Sequence, residues 1–297
     1  MDLQCRKKTI LSPRDLFTCP GAGGCNEDAV GGGPGYLYVI DGATGLTDAP
    51  PCMETARTDA AWFAGETARW LEEHLPLDLD LADLLGRGMA HIRAQWKGGD
   101  MPTAGLAVLR CRGAWAELFL LGDCLCSIQK RDGSFLTVRE TALGRLDALA
   151  LAELGAHGRR LGRPPAACLP LIRETLRRHR ALANRPGGYW VLDPSGAGIA
   201  HALRLTLPLA VCASILLCTD GFGQWLDFTG LPLPALHRRV ARRGIAPVAG
   251  ELFARQAADP DFTAVPRFKL RDDTSAAYGR FLQPPPAERE EGGLGTL

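Results

Sequence analysis

Short apolar runs with strand character alternate along this chain with longer segments of helical period. Residues 36–40 and 214–218 are rich in aliphatic, β-branched and aromatic side chains, which predicts two buried strands. By the same criteria, further strands are predicted at 104–110, 115–121, 125–129, 134–138, 189–192, 201–207 and 276–282. Most of these strands follow one another at hairpin distance, which is typical of antiparallel sheets.

Apolar residues at helical spacing predict several amphipathic helices between these strands. The predicted helices cover residues 54–75, 81–96 (interrupted by Gly86 and Gly88), 141–185 (broken near 162–165), 231–243 and 247–258. We therefore expect one mixed α+β domain over residues 21–282, preceded by an N-terminal segment, residues 1–20. The tail, residues 283–297, is rich in Pro, Glu and Gly and is predicted to be disordered.

Composition narrows the possible classes of protein. The chain has 297 residues, 46% of them hydrophobic, and a formal net charge of +1. That balance argues against a dedicated nucleic-acid or membrane-surface protein, so the arginine clusters at 177–180 and 238–243 are interpreted as solvated helix faces. No window approaches the length of a membrane span, and residues 1–12 contain no apolar signal core. The ten cysteines form no C-x-x-C pair, and a reducing cytoplasm is the expected compartment.

Aspartate followed by glycine ends two of the predicted buried strands. Asp41-Gly42 follows the strand at 36–40, and Asp220-Gly221 follows the one at 214–218. A third pair, Asp132-Gly133, joins two short strands at hairpin spacing, where Asp-Gly supplies the positive φ of a tight turn. An Asp-Gly pair alone is therefore weak evidence of function, because turn chemistry explains most such pairs.

Acidic residues at strand ends form a larger set with a common pattern. Each of them adjoins a small residue or a turn: Glu27-Asp28, Asp41, Asp123, Asp220 and Asp272. Carboxylates, backbone carbonyls and water suit hard cations such as Mg²⁺ and Mn²⁺. The six histidines lie away from these acids in the sequence, which argues against a zinc site. Two cations about 4 Å apart can orient and deprotonate a water for attack at phosphorus.

The order of these motifs resembles that of the protein phosphatase 2C family, which consists of metal-dependent serine/threonine phosphatases. The resemblance covers about residues 20–282 and rests on five short motifs: Asn26-Glu27-Asp28, Val39-Ile40-Asp41-Gly42, Gly122-Asp123, Leu217-Cys218-Thr219-Asp220-Gly221 and Asp272-Asp273-Thr274-Ser275. It implies a four-layer α-β-β-α sandwich, in which two antiparallel sheets are flanked by helices. It also implies a site for two Mn²⁺ or Mg²⁺ ions at one end of that sandwich.

The resemblance further implies a role for each acid. Asp41 would bridge the two metals and the Gly42 carbonyl would bind one of them, while Asp220 and Asp272 would bind the other.

The remaining acids would lie around this pair of metals. Glu27 would hold metal-bound waters, with Asp28 beside it, and Asp123 matches an acid that helps to hold a third, weaker metal in bacterial relatives. Residues 141–190 match a flap region that varies with substrate.

Two positions depart from the family pattern. Many members have His where this chain has Ala43, as proton donor to the leaving group, and Arg where it has Gly23, as anchor for the substrate phosphate. Losing a general acid typically costs 10²–10⁴-fold in rate. No nearby side chain is an evident replacement, although Arg14 of the N-terminal segment is a candidate to swing in.

The resulting prediction is a bacterial-type, Mn²⁺- or Mg²⁺-dependent phosphomonoester hydrolase. It would dephosphorylate phosphoserine and phosphothreonine proteins through a metal-bridged hydroxide, as a cytoplasmic monomer without nucleic-acid or membrane partners. Two alternatives stay open. One is a catalytically degenerate module that binds a phosphoprotein or another partner, and the other is a phosphatase for a small phosphorylated metabolite.

Overall fold

Two antiparallel sheets of five strands each form the centre of the molecule. The computed structural model describes residues 11–43, 51–53 and 56–282. The tail predicted to be disordered, 283–297, lies outside these residues.

The first sheet has the strand order β1-β10-β9-β6-β7. Its strands are β1 (Leu11–Cys19), β6 (Leu125–Lys130), β7 (Phe135–Arg139), β9 (Cys212–Cys218) and β10 (Thr274–Phe281). The second sheet has the order β2-β3-β4-β5-β8. Its strands are β2 (Asp28–Gly33), β3 (Tyr36–Ala43), β4 (Thr103–Arg112), β5 (Trp115–Leu121) and β8 (Leu203–Pro208).

Helices cover the outer face of each sheet. On the second sheet they are α1 (Asp59–His74) and α2 (Leu81–Gln95), and on the first sheet α8 (Leu233–Arg243) and α9 (Ile245–Ala257). The helices α3 (Ala142–Leu161), α4 (Pro165–Cys168) and α5 (Arg173–Arg180) form a small cluster of their own, and α6 (Asp220–Gly223) and α7 (Trp225–Thr229) follow β9. This arrangement confirms the predicted α+β class and the four-layer α-β-β-α sandwich. In the described part of the chain, none of the helices combines the length and the apolar character that crossing a membrane requires.

Strand β3 shows why the central strands are apolar almost without interruption. Leu37 and Val39 belong to the core between the two sheets, whereas Tyr38 and Ile40 belong to the core between the second sheet and α1/α2. Successive side chains of a strand point to opposite faces. Because both faces of β3 are covered, residues 37–40 are buried and their sequence shows no polar alternation.

Two strands are present that the sequence pattern did not predict. Residues 11–19 of the predicted N-terminal segment form β1, which pairs along its length with β10, with a bulge between Pro13 and Asp15. Strand β2 was missed because it is rich in glycine. Gly31 and Gly33 lie opposite Tyr38 and Tyr36, and a Cβ at either glycine would come within 2.8 Å of the facing tyrosine ring. The glycines therefore make room for two aromatic rings.

Two other predictions need correction. Residues 189–192 make only isolated bridges, Tyr189 to Ala183 and Leu192 to Ala104, and form no strand. Gly88 does not interrupt α2, which is continuous from Leu81 to Gln95. A Cβ at this position would be 2.6 Å from the Trp70 ring, so Gly88 allows α1 and α2 to pack closely.

Candidate metal centre

The second sheet brings three of the predicted acids to one end of the sandwich. Asp28 and Asp41 are directly opposite each other in the β2–β3 pairing, and Gly105 of β4 lies on the other side of Asp41. A Cβ added at Gly105 would be 3.2 Å from Asp123 Oδ1 and 3.3 Å from Asp41 Cβ. Because Gly105 has no side chain, Asp41 and Asp123 can approach each other at this position.

The first sheet contributes the other two acids at the same end. Asp220 begins α6 directly after β9, and its backbone N–H donates to Asp41 Oδ2 at 3.2 Å. Asp272 precedes β10, the strand that pairs with β9. The hydrogen bond from the Asp220 backbone N–H to the Asp41 carboxylate therefore joins the ends of the two sheets, over a sequence separation of 179 residues.

The glycines of both Asp-Gly motifs lie against the backbone of another motif. Gly42 N donates to Glu27 O at 3.1 Å, and a Cβ at Gly42 would stand only 2.2 Å from that oxygen. A Cβ at Gly221 would stand 1.9 Å from Asp273 O. Neither glycine has a positive φ. Close approach of two chain segments, and not turn geometry, requires glycine here.

Two buried residues that the sequence analysis did not assign hold these motifs together. Asp273 accepts hydrogen bonds from Gly21 N at 2.6 Å and from Glu27 N at 2.8 Å. The Thr219 hydroxyl lies 3.0 Å from Asp28 Oδ2, and it accepts from Ser275 N at 3.0 Å. Both were visible only as neighbours of the motif aspartates, because their partners are distant in sequence.

The carboxylates strongly perturb one another. Burial raises the pKa of Asp28 to about 8. Hydrogen bonds with Ser275 and Thr219 lower this pKa, whereas the charges of Asp273 and Asp272 raise it further. Desolvation also raises the pKa of Asp41 well above its usual range, and the charge of Asp220 adds to it.

The same two causes act on the acids at the other edge of the cluster. Desolvation by surrounding protein atoms raises the pKa of Asp220 well above its usual range, and the charges of Asp123 and Asp272 add to this rise. For Asp123, burial raises the pKa, while its own backbone N–H and the charge of Arg180 act in the opposite direction. Ionising all these acids together is therefore costly unless a cation lies among them.

Lys269 supplies one positive charge at the edge of this acid cluster. Its Nζ lies 2.7 Å from Asp272 Oδ1, which also accepts from Asp273 N at 2.9 Å. Burial lowers the pKa of Lys269, but the charges of Asp272, Asp220 and Asp41 together raise it above its usual value. The ion pair with Asp272 thus partly compensates the negative charge of the cluster.

The donor set fits a divalent cation in its chemistry. Asp28 Oδ1 is buried and has no hydrogen-bond partner among the residues that the structure describes, and the clustered acids offer only oxygen atoms. Oxygen-only sets suit Mg²⁺ and Mn²⁺. As the side chains stand, no three His, Cys, Asp or Glu residues in the described ranges are arranged as ligands of one metal ion. Asp272 is engaged by Lys269 and Asp41 by Asp220 N, so binding a cation requires these contacts to rearrange.

Four further positions were singled out in the sequence: Glu27, Ala43, Gly23 and Arg14. Glu27 is buried beside the cluster, and its backbone joins Gly42 to Asp273. Ala43 is the last residue of β3 and offers no proton donor. A Cβ at Gly23 would meet nothing within 4 Å. Arg14 is not at the site, because it lies at the bulge of β1, five residues and about 17 Å from the strand end at Cys19.

Two clefts open beside the acids. The smaller one, of about 500 Å³, is lined by Asp123, Asp220, Asp272 and Lys269 and so opens onto the candidate centre itself. The larger one, of about 690 Å³, adjoins the acids without containing them. We call it the basic cleft because four arginines line it together with Ala43, namely Arg57, Arg177, Arg180 and Arg185.

Comparison with known proteins gives matches in structure. No protein-family model matches the chain, and no curated protein sequence matches it. The Mycobacterium tuberculosis serine/threonine phosphatase PstP/Ppp is 16% identical, with a TM-score of 0.54, over 92% of this chain and 100% of that one. PppA, a key regulatory component of T6SS in Pseudomonas aeruginosa, is 17% identical, with a TM-score of 0.54, over 92% and 98%.

A third structure is that of the catalytic domain of the serine/threonine protein phosphatase PstP in complex with two manganese ions. It is 15% identical over 92% of this chain and 99% of that one, with a lower TM-score of 0.47. The likeness to the first two structures extends over 92% of this chain. The chain therefore has the fold of bacterial phosphatase 2C-type serine/threonine phosphatases, as the order of its acidic motifs predicted.

Proposed function

We propose that this protein is a Mn²⁺- or Mg²⁺-dependent phosphomonoester hydrolase that acts on phosphoserine and phosphothreonine residues of proteins. One observation carries the proposal. Carboxylates from both sheets, far apart in sequence, meet at one end of the sandwich, where burial and then the charges of neighbouring acids raise the pKa values of Asp28, Asp41 and Asp220. A fold gains no stability from such a cluster by itself, because buried like charges repel. The cluster is best explained as a site for cations.

The residues that would hold the cations are those named by the motifs. They are Asp41, the Gly42 carbonyl, Asp220 and Asp272, with Asp123 at a further position and Glu27 and Asp28 beside them. When bound, two such ions would activate a water and neutralise the charge that develops during in-line displacement at phosphorus.

The protein's own residues position this cluster. Thr219 fixes Asp28, and Asp273 binds the backbone of both Gly21 and Glu27. Lys269 lies at the rim of the smaller cleft, where an ammonium group would attract an anionic substrate. The sandwich thus presents oxygen ligands on rigid strand ends beside an open cleft.

A degenerate module that binds phosphoproteins without turnover is the second candidate. Ala43 favours it, because no proton donor for a serine leaving group stands at that position. A phenolate leaves more readily than a serine alkoxide, so aryl phosphates should suffer least from this difference. The third candidate, a phosphatase for a small phosphorylated metabolite, is tested by the same assay. The expected compartment is the cytoplasm and the expected state a monomer.

The first test is phosphate release with Mn²⁺ and, in parallel, with EDTA. Substrates are an aryl phosphate, phosphoserine, phosphothreonine and phosphotyrosine peptides and a panel of phosphorylated metabolites. We expect Mn²⁺-dependent hydrolysis, and a loss of at least about 100-fold in Asp41→Ala and in Asp220→Ala, because even partners of metal ligands cost 10–100-fold.

Asp132→Ala is the matched control. Asp132 is an exposed aspartate that precedes a glycine and accepts from Ser134 in a hairpin turn, so its removal should leave the rate unchanged. Full activity in both Asp41→Ala and Asp220→Ala would refute the site. Mn²⁺ binding by calorimetry without turnover of any substrate would favour the degenerate module.

A further inference from the structure

Positive charge is concentrated in one region of this nearly neutral chain. Residues 141–190, from the start of α3 to the segment after α5, contain nine arginines and three acidic residues, a formal charge of +6, whereas the whole chain has +1. The remainder of the chain is therefore negative. Such an asymmetry attracts anionic partners to one face and raises their association rate.

The basic cleft lies where this region meets the second sheet. Arg177, Arg180 and Arg185 reach it from α5 and the following segment, and Arg57 reaches it from the segment before α1. Two separate parts of the chain thus place guanidinium groups around one cavity of about 690 Å³. That volume lies within the range of ligand-binding clefts.

Three of these arginines have no acidic partner within the part of the chain that the structure describes. Arg57 makes one long hydrogen bond, 3.4 Å to Gly24 O, and Arg180 makes one of the same length to Thr103 Oγ1. For Arg57, Arg180 and Arg185, no carboxylate of residues 11–43, 51–53 or 56–282 lies within ion-pair distance.

Two of the acids that line the cleft are engaged elsewhere. Asp59 accepts from the backbone N–H of Cys52 and Met53. Asp193 is buried and accepts from Asn184 and from the Ser195 hydroxyl. With Asp100, three acids line the cleft beside four arginines, so the lining keeps an excess of positive charge, and in the described part of the chain none of the three acids forms an ion pair with Arg57, Arg180 or Arg185.

The basic cleft also adjoins the candidate metal centre. Ala43 lines it, and at most about 7 Å of chain separates Ala43 from Asp41. Arg180 donates to Thr103 Oγ1 at 3.4 Å, and Thr103 of β4 is directly opposite Ala43 in the β3–β4 pairing. If a phosphorylated segment of another protein placed its phosphoryl group over the acids, the residues that flank the phosphorylated one would therefore lie in the basic cleft.

We propose that the basic cleft binds anionic groups next to the phosphorylated residue, so that the preferred substrate is a phosphoprotein segment flanked by negative charge. Those anions are either Glu and Asp side chains or a second phosphate, both of which suit the planar donors of arginine. This inference rests on the proposed function for the identity of the substrate. The arginines Arg57, Arg180 and Arg185 then determine specificity and do not take part in the chemistry.

Equilibrium binding of labelled peptides to the full chain with Mn²⁺ tests the proposal without turnover. Each peptide carries the non-hydrolysable phosphonate analogue of phosphoserine, flanked by Glu, by Ala, by Lys or by a second phosphonate. We expect the two anionic peptides to bind about 10-fold more tightly than the Ala peptide, and the Lys peptide to bind most weakly. The order of the Glu and diphosphonate peptides distinguishes the two sources of charge. The preference should shrink at 0.5 M salt.

Substitutions in the cleft should remove this preference selectively. Arg57→Ala and Arg180→Ala should each weaken binding of the anionic peptides about 2- to 5-fold, the range for partly exposed charge pairs, and leave the Ala peptide unchanged. Arg180→Glu should favour the Lys peptide. Arg87→Ala is the matched control, since Arg87 is exposed on α2 away from the cleft. Thermal melts establish that each variant is folded.

The outcomes separate this inference from the proposed function. A preference for anionic peptides that depends on these arginines supports the cleft even if no substrate is hydrolysed. Hydrolysis of phosphopeptides without any effect of flanking charge overturns the cleft and leaves the phosphatase intact. A single-stranded oligonucleotide that binds more tightly than the anionic peptides, with the same arginine dependence, also overturns it.

Discussion

Glycine follows aspartate at Gly42, Gly221 and Gly133, but the structural reason for glycine at the first two differs from that at the third. Gly133 has φ +84° in an exposed hairpin turn, and a Cβ added there would meet nothing within 4 Å. At Gly42 and Gly221 an added Cβ would come within 2.2 Å of a backbone oxygen of another motif. The dipeptide is the same in sequence. Only the partner segment, Glu27 or Asp273, distinguishes a site glycine from a turn glycine.

Replacing Gly42 or Gly221 with alanine should therefore destabilise the fold. Neither carbonyl can move without shifting a strand end, so we expect a loss of about 3 kcal/mol in the free energy of unfolding, the upper range for overpacking. Gly23→Ala is the control, because it has open space and no positive φ. Urea unfolding measures all three. Equal midpoints for Gly42→Ala and Gly23→Ala would contradict the close packing.

At the scale of elements, hydrophobic pattern predicted the strands that are covered on both faces and the amphipathic helices. It located β3, β4, β5, β6, β9 and α2 within a few residues of their observed ends. It failed where tertiary neighbours decide the structure. The glycines of β2 are stable in a strand because Tyr36 and Tyr38 pack over them, and β1 is an edge strand with a proline and charges.

His237 joins α8 to the first sheet, a role that its sequence context did not indicate. Its Nε2 lies 2.8 Å from Ser214 Oγ of β9, and its Nδ1 lies 3.0 Å from Ser127 Oγ of β6. The ring also meets Tyr278 of β10 edge-on. Burial lowers the pKa of His237 to about 4, so the side chain is neutral in the native state at pH 7.

This buried histidine should make the fold sensitive to acid. The folded pKa lies below the unfolded value of about 6.5, so the stabilisation is complete above pH 6.5 and is lost as the pH falls towards 4. At pH 5 the expected loss is about 2 kcal/mol. His237→Gln keeps a polar side chain that does not titrate. The difference between wild type and this variant in the free energy of unfolding, measured by urea titration at pH 7.5 and 5, should shrink by that amount from the higher to the lower pH; a constant difference would contradict the assignment.

At the scale of the whole molecule, the sandwich serves to bring two sheet ends together. Asp28 and Asp41 come from the second sheet, whereas Asp220 and Asp272 come from the ends of β9 and β10 in the first. The acids of the five motifs lie near one another at this end, and their roles as metal ligands stay a prediction. The order of the motifs did not predict Thr219 and Asp273 as the residues that bind the motifs to one another, or Lys269 as a counter-ion, because those roles depend on contacts across the sandwich.

The acid cluster should link the stability of the whole domain to divalent cations. Without metal, the charges of Asp41 and its neighbours repel, so Asp41→Asn should raise the melting temperature of the metal-free protein. With Mn²⁺ at 100 times its dissociation constant, wild type should gain about 2.7 kcal/mol. Asp41→Asn should lose most of this gain, because it removes the carboxylate that we propose as the bridge between the two cations.

Differential scanning fluorimetry in EDTA and over a Mn²⁺ series measures both effects. Asp132→Asn is the matched control, since its side chain lies in an exposed hairpin turn and should leave the Mn²⁺ response as in wild type. In EDTA, Asp41→Asn should have a higher melting temperature than wild type. In saturating Mn²⁺ it should have a lower one, so the two curves of melting temperature against Mn²⁺ concentration should cross. A wild-type melting temperature that does not respond to Mn²⁺ would show that the cluster binds no cation. Another group would then have to compensate the repulsion among its carboxylates, and the Lys269–Asp272 ion pair is the first to test.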